Sequence, residues 1–168
     1  MGPKAKRETV DLSQYPDLVV IYLGMRINTM AGIKTVFGMG PKIEASVAAR
    51  PEGLLLHENL FFSLRHVGMR QYWRDFESLE KWSRSEPHRV WWGNFLKDTG
   101  GTGFWHETYL RRGGIEAVYV DMLEPAGMGK FAPRTQARGS SFSARNRAGV
   151  AGEVRDGAPV GEKEYYSE

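Results

Sequence analysis

The run Leu18-Val19-Val20-Ile21-Tyr22-Leu23-Gly24-Met25-Arg26-Ile27 constrains this chain most. It is rich in β-branched residues and too continuously apolar for a strand with one wet face, so it reads as a central strand covered on both sides. Strand side chains alternate, which puts Val19, Ile21, Leu23, Met25 and Ile27 on one face and Leu18, Val20 and Tyr22 on the other. Helices can cover one face. Leaving the second open would expose a large apolar patch, so the pattern predicts a homodimer in which two sheets pack together.

Residues 31–50 are helical in composition but interrupted by Gly38, Gly40 and Pro41. Either two short helices or one kinked helix fits, because proline removes a backbone donor. Residues 54–62 and 67–74 read as strands joined near Ser63-Leu64-Arg65-His66. Asp75 is a good N-cap for a helix beginning Phe76-Glu77-Ser78-Leu79. Ser85-Glu86-Pro87 offers a second cap, so the helix breaks and restarts there, with Val90, Trp91, Phe95 and Leu96 as the apolar face of the second piece. A strand through Gly103-Phe104-Trp105-His106-Glu107-Thr108-Tyr109 follows, then a turn at Arg111-Arg112-Gly113-Gly114 and a last strand over residues 115–122. The order is β-α-β-β-α-β with an extra C-terminal strand. That is an α+β, ferredoxin-like arrangement with an antiparallel sheet.

With 168 residues, 41% of them hydrophobic, the chain can build one domain with a real core. The reading is an N-terminal extension over residues 1–16, the domain over 17–123, and a flexible tail over 124–168, where Gly, Ala, Ser, Pro and Arg dominate and no periodicity survives. The absence of cysteine excludes disulfides, thiolate metal sites and a cysteine nucleophile, and fits the cytoplasm. No apolar run reaches the roughly 20 residues that cross a bilayer, and the charged N-terminus has no apolar core of a secretory signal. The net charge of +3 is spread along the chain rather than gathered in a patch, so neither nucleic acid nor membrane is expected as a partner.

The segments 17–28, 71–80, 85–88 and 103–109 together resemble the dimeric α+β barrel proteins typified by antibiotic-biosynthesis monooxygenases. Within that group the chain is most similar to a small family that includes the monooxygenase of the fumagillin pathway. Tyr72-Trp73-Arg74-x-x-Glu77-x-Leu79 followed by Trp82 is common to the superfamily and marks fold more than activity. Trp105-His106-Glu107-Thr108-Tyr109 is more specific to the narrower family. The resemblance implies a pocket between sheet and helices that takes a hydrophobic organic molecule. It also implies a choice among cofactor-free monooxygenases, haem-degrading oxygenases, haem-dependent dehydratases and non-catalytic stress proteins, which fold alone does not settle.

His106 is the first candidate catalytic residue: facing the helices, it would serve as acid, base or, with haem bound, axial ligand. Its ordinary alternative is a buried histidine bonded to a carbonyl. Tyr72 is a candidate hydrogen-bond donor to a substrate oxygen and His88 a second candidate base, with packing and helix capping as their plainer roles. Trp82, Trp92, Phe104, Arg26 and Asn28 are candidate substrate-binding residues. In the haem-degrading branch a histidine ten residues after the tryptophan holds iron; Trp92 stands there in this chain, which argues against haem degradation. Glu107 must face away from His106 and is expected at the dimer interface or paired with an arginine such as Arg70. His57 and His66 lack any spacing with a second ligand, and no HExxH or phosphate-loop motif occurs, so a protein-held metal site and nucleotide cofactors are not indicated. The leading expectation is a monooxygenase-like enzyme that requires no cofactor. A haem enzyme of the same fold and a non-catalytic ligand-binding dimer are the alternatives.

Overall fold

A computed structural model describes residues 6–112, 114–117, 119–120, 127–141 and 147. Its elements run β1 (Arg7–Val10), β2 (Val19–Ile27), α1 (Met30–Ala48), β3 (Leu54–Ser63), β4 (His66–Trp73), α2 (Phe76–Arg84), α3 (His88–Lys97), β5 (Thr102–Leu110), β6 (Tyr119–Val120) and β7 (Arg134–Gln136). Two short 3-10 turns, Gly127–Lys130 and Gly139–Ser141, flank β7. The chain divides into two units, one spanning Asp17–Leu110 and the other combining Met1–Pro16 with Arg111–Glu168.

The first unit is the ferredoxin-like one. Its antiparallel sheet has the order β3-β4-β2-β5, with the continuously apolar β2 at an interior position as its composition requires. The core gathers at one end of this sheet, where Val19, Trp73 and Leu79 are buried and Ile21, Leu54 and Trp82 pack around them. α1 is a single helix that carries Pro41 within it. Its entry depends on a glycine corner: Gly101, at φ 77°, accepts from the backbone N–H groups of Asn28 and Thr29. A Cβ at Gly101 would sit 2.1 Å from the Thr29 hydroxyl. Asp75 caps α2 as expected, its carboxylate accepting from the Ser78 N–H at 2.7 Å. The expected second cap takes another form. The Ser85 hydroxyl turns back to donate to the Trp82 carbonyl, and Pro87 is the N-cap residue of α3.

The second unit holds a three-stranded sheet of order β6-β1-β7. The strand expected over 115–122 is β6, of two residues, and it pairs with β1 in this sheet rather than with β5; residues 118, 121 and 122 lie outside the described residues. Within the segment expected as a flexible tail, residues 134–136 form β7 against β1, while 124–126, 142–146 and 148–168 lie outside the described residues. A cavity of about 220 Å³ in this unit is lined by residues including Asp11, Ser13, Arg111, Glu116 and Arg147.

Candidate functional site

Cross-strand register sorts the candidate residues by face, because directly paired residues of an antiparallel sheet share a side. Leu23 pairs with Met69 and His106, and Met25 with Val67 and Phe104. α2 and α3 cover this face: the Trp82 ring lies 5.4 Å from that of Trp73, and the Trp92 ring 5.4 Å from that of Phe104. Phe95 stacks on Trp92 at 5.9 Å and meets Phe104 at 5.9 Å. His106, Phe104, Trp82 and Trp92 therefore share one side of the sheet, with an aromatic wall above it. The alternation places His106 beside Phe104, whose ring centroid is 5.9 Å away. The imidazole is exposed, however, since β5 is an edge strand.

His88 joins this face from the start of α3. Its ring lies 4.7 Å from Trp82, and Nδ1 is 2.8 Å from the Ser83 carbonyl oxygen. A carbonyl only accepts, so Nδ1 carries the proton and Nε2 presents its lone pair. Burial pushes the His88 pKa below the ordinary imidazole range, and the bond to Ser83 opposes that shift in part. A neutral imidazole with one nitrogen anchored is the form that a general base or an axial ligand needs. Of the two candidate bases, His88 is the more enclosed.

Tyr72 and Arg26 lie on the other side of the sheet. Tyr72, only 5% exposed, pairs with Val20 and Leu56, while Arg26 is exposed and pairs with His66 and Gly103. Neither joins the face of His88 and His106. Asn28 follows the end of β2 and lies beside Gly103, where it supports the glycine corner through its backbone N–H. Of the two placements expected for Glu107, the dimer interface or an arginine pair, the pairing with Arg70 is not formed. Arg70 donates to Glu58 on β3 at 2.7 and 3.1 Å, and Glu107 accepts from the Tyr109 hydroxyl. That bond raises the Tyr109 pKa above the ordinary phenol range.

Two histidines set aside for lack of spacing hold defined positions. On the face opposite the helices, Trp105 Nε1–H donates to His66 Nε2 at 2.8 Å, over the close-approaching pair Gly24 and Gly68. On the helix-covered face, His57 has a side chain only 6% exposed and bonds Gln71, which is 2% exposed. The sequence signal for this pair was the strand period itself: Met69, Gln71 and Trp73 alternate onto one side, so Gln71 is a polar residue at an inward position. Among the described residues, no group of three or more His, Cys, Asp or Glu could hold a metal ion, and no helix is long and apolar enough to cross a membrane.

A family model described as Monooxygenase af470-like matches residues 18–128, a span that takes in the segments on which the sequence resemblance rests except for residue 17. Two crystal structures of aldoxime dehydratase, one in complex with butyraldoxime, align with 80% and 78% of the chain at 19% and 18% identity, each with a TM-score of 0.62. The chain spans 39% of the length of each, and the likeness is one of fold. SnoaB, a cofactor-independent oxygenase from Streptomyces nogalater, aligns with 55% of this chain and 91% of its own at 14% identity and a TM-score of 0.42. No curated protein sequence matches the chain.

Proposed function

This chain belongs to the Monooxygenase af470-like family, and from that premise we propose that it oxygenates a hydrophobic organic molecule on the helix-covered face of its sheet. The observation that carries this reading is His88, half-buried against Trp82 with Nδ1–H bonded to a carbonyl and Nε2 left as a base. In a cofactor-free reaction the substrate must be a carbon acid. His88 Nε2 removes a proton, the resulting carbanion reduces O2, and a methylene becomes a carbonyl with release of water. The substrate supplies every electron. Trp92, Phe95 and Phe104 provide the apolar wall, and His106 on the same face is the group placed to donate to the developing oxyanion. Tyr72 and Arg26 have no part in this step, since the sheet separates them from it.

The biological unit in this reading is a homodimer through the sheet face opposite the helices, where Tyr22, Phe62 and Trp105 form an apolar aromatic surface beyond the already buried Val20 and Tyr72. Oxygen uptake with a fused-ring phenolic ketone as probe tests the chemistry. We expect His88→Ala to lower kcat by about 10²-fold or more, the usual worth of a general base. Full uptake by that variant would remove His88 from the mechanism. Retained probe binding without uptake in the unaltered protein would leave a ligand-binding dimer.

The anchored imidazole also favours a second reading. Haem would fit axial ligation by His88 Nε2, because a carbonyl bond at the other nitrogen is the usual partner of a ligating histidine. Bound haem would supply redox chemistry at iron. The test is the Soret band after haem addition: its loss in His88→Ala but not in His106→Ala assigns the ligand, and its absence from the unaltered protein removes the reading.

A further inference from the structure

Four side chains on the helix-covered face and one on α1 form a hydrogen-bonded line in which every donor points the same way. Trp73 Nε1–H donates to Gln71 Oε1 at 3.1 Å. An indole can only donate, so the Gln71 oxygen must face it and the Gln71 amide nitrogen must face His57 Nδ1, 3.1 Å away. That nitrogen also only donates, so His57 Nδ1 accepts and the ring proton sits on Nε2. Nε2 lies 3.1 Å from Asn59 Oδ1 and 3.7 Å from Glu44 Oε1, and the Asn59 amide donates to Glu44 at 2.6 Å. The line begins at Trp73, which has no exposed surface, and ends at a half-exposed carboxylate on α1.

Trp73 is also the floor beneath the candidate base, since its ring meets Trp82 and Trp82 meets His88. We infer that His57 and Gln71 are positioning residues, which fix the orientation of Trp73 and, through Trp82, hold the His88 imidazole in place. The role of His88 as base or ligand rests on the proposed function; the coupling to it does not. A single flipped amide would cost two bonds at once, because Gln71 would present its NH2 to an indole and its oxygen to an unprotonated nitrogen. Buried polar lines of this kind tolerate one arrangement. The charged groups nearest His88 in sequence are tied up in their own pairs, Arg84 with Glu80 and Arg89 with Glu86. They offer no competing means of holding it.

The test is histidine and tryptophan NMR on the full chain, with no substrate needed. The unaltered protein is expected to show His57 as the Nε2–H tautomer. His57→Leu removes both bonds, so the Trp73 indole resonance moves and the His88 titration midpoint rises by about half a pH unit as hydration reaches the ring. His57→Gln can accept from Gln71 and donate to Asn59, so both signals return to their original places. A residue that merely filled space would show no such rescue. The inference is overturned by an Nδ1–H tautomer at His57, by an unmoved His88 midpoint in folded His57→Leu, or by a glutamine variant that behaves as the leucine one. If His57→Leu does not fold, Gln71→Glu decides: it still accepts from Trp73 but forces a proton onto His57 Nδ1, and an unchanged His57 tautomer there sinks the proposal. Absence of the proposed activity from the unaltered protein, with these spectral changes still seen in the variants, would count against the function and leave the positioning intact.

Discussion

His88 shows how one residue's surroundings choose its chemistry. Burial favours the neutral ring, and the Ser83 carbonyl decides which nitrogen keeps the proton. Its folded-state pKa lies below the unfolded value of about 6.5, so at acid pH the unfolded chain binds more protons than the folded one. The stability linked to this group is fully present above pH 6.5 and is lost as pH falls through the folded value. Urea denaturation at pH 7 and pH 5 should therefore show a smaller acid-side loss for His88→Gln than for the unaltered protein. His106 lacks such an enclosure, being exposed on an edge strand.

Individual elements owe their limits to a few residues whose cost can be measured. Asp75 accepts from Arg74 and from the Ser78 N–H, and these bonds bring its pKa down to about 2. The cap is therefore intact at neutral pH and weakens only as pH falls from about 4 toward 2, below the unfolded carboxyl value. Asp75→Ala is expected to cost about 1 kcal/mol at pH 7, read by denaturant midpoint, with most of that loss due to the cap rather than to the exposed Arg74 pair. The β2–β4 ladder depends on Gly24 and Gly68 lying opposite each other. A Cβ at Gly68 would stand 2.3 Å from the Leu23 carbonyl oxygen and 2.7 Å from the Phe62 ring, and a ladder oxygen cannot move without parting the strands. Gly68→Ala should destabilise by about 2 kcal/mol. Gly38 in α1 meets nothing within 4 Å, so Gly38→Ala should stabilise by about 0.5–1 kcal/mol through helix propensity alone. Opposite signs for the same chemical change would separate steric demand from conformational entropy.

For the molecule as a whole, the sheet of the ferredoxin-like unit separates the proposed chemistry from the proposed dimer contact. One face carries His88, His106 and the aromatic wall of α3; the other carries Tyr22, Phe62 and Trp105, with the Arg70–Glu58 pair set beside them. A second copy on this second face would bury the aromatic surface without touching the candidate site. Light scattering at micromolar concentration should give the mass of two chains, and Trp105→Glu, which puts a charge among those rings, should shift the protein toward one. A single-chain mass for the unaltered protein would falsify the dimer while leaving the helix-covered face as it is.

The sequence by itself determined what depends on local pattern. The unbroken apolarity of β2 demanded an interior strand, the acid at position 75 started a helix, and the period of two put His106 with Phe104 and Glu107 away from them. Within one strand that period fixes two sides, but it cannot say which side of a neighbouring strand each one joins. Register decides that, and register belongs to the folded sheet. It turned Tyr72 and Arg26 away from His88 and His106, gave Arg70 to Glu58 rather than Glu107, and lined up Trp73, Gln71 and His57 across two strands. Residues that are neighbours only sideways leave no spacing to read along a chain, and so the buried line beneath His88 emerged only with the tertiary structure.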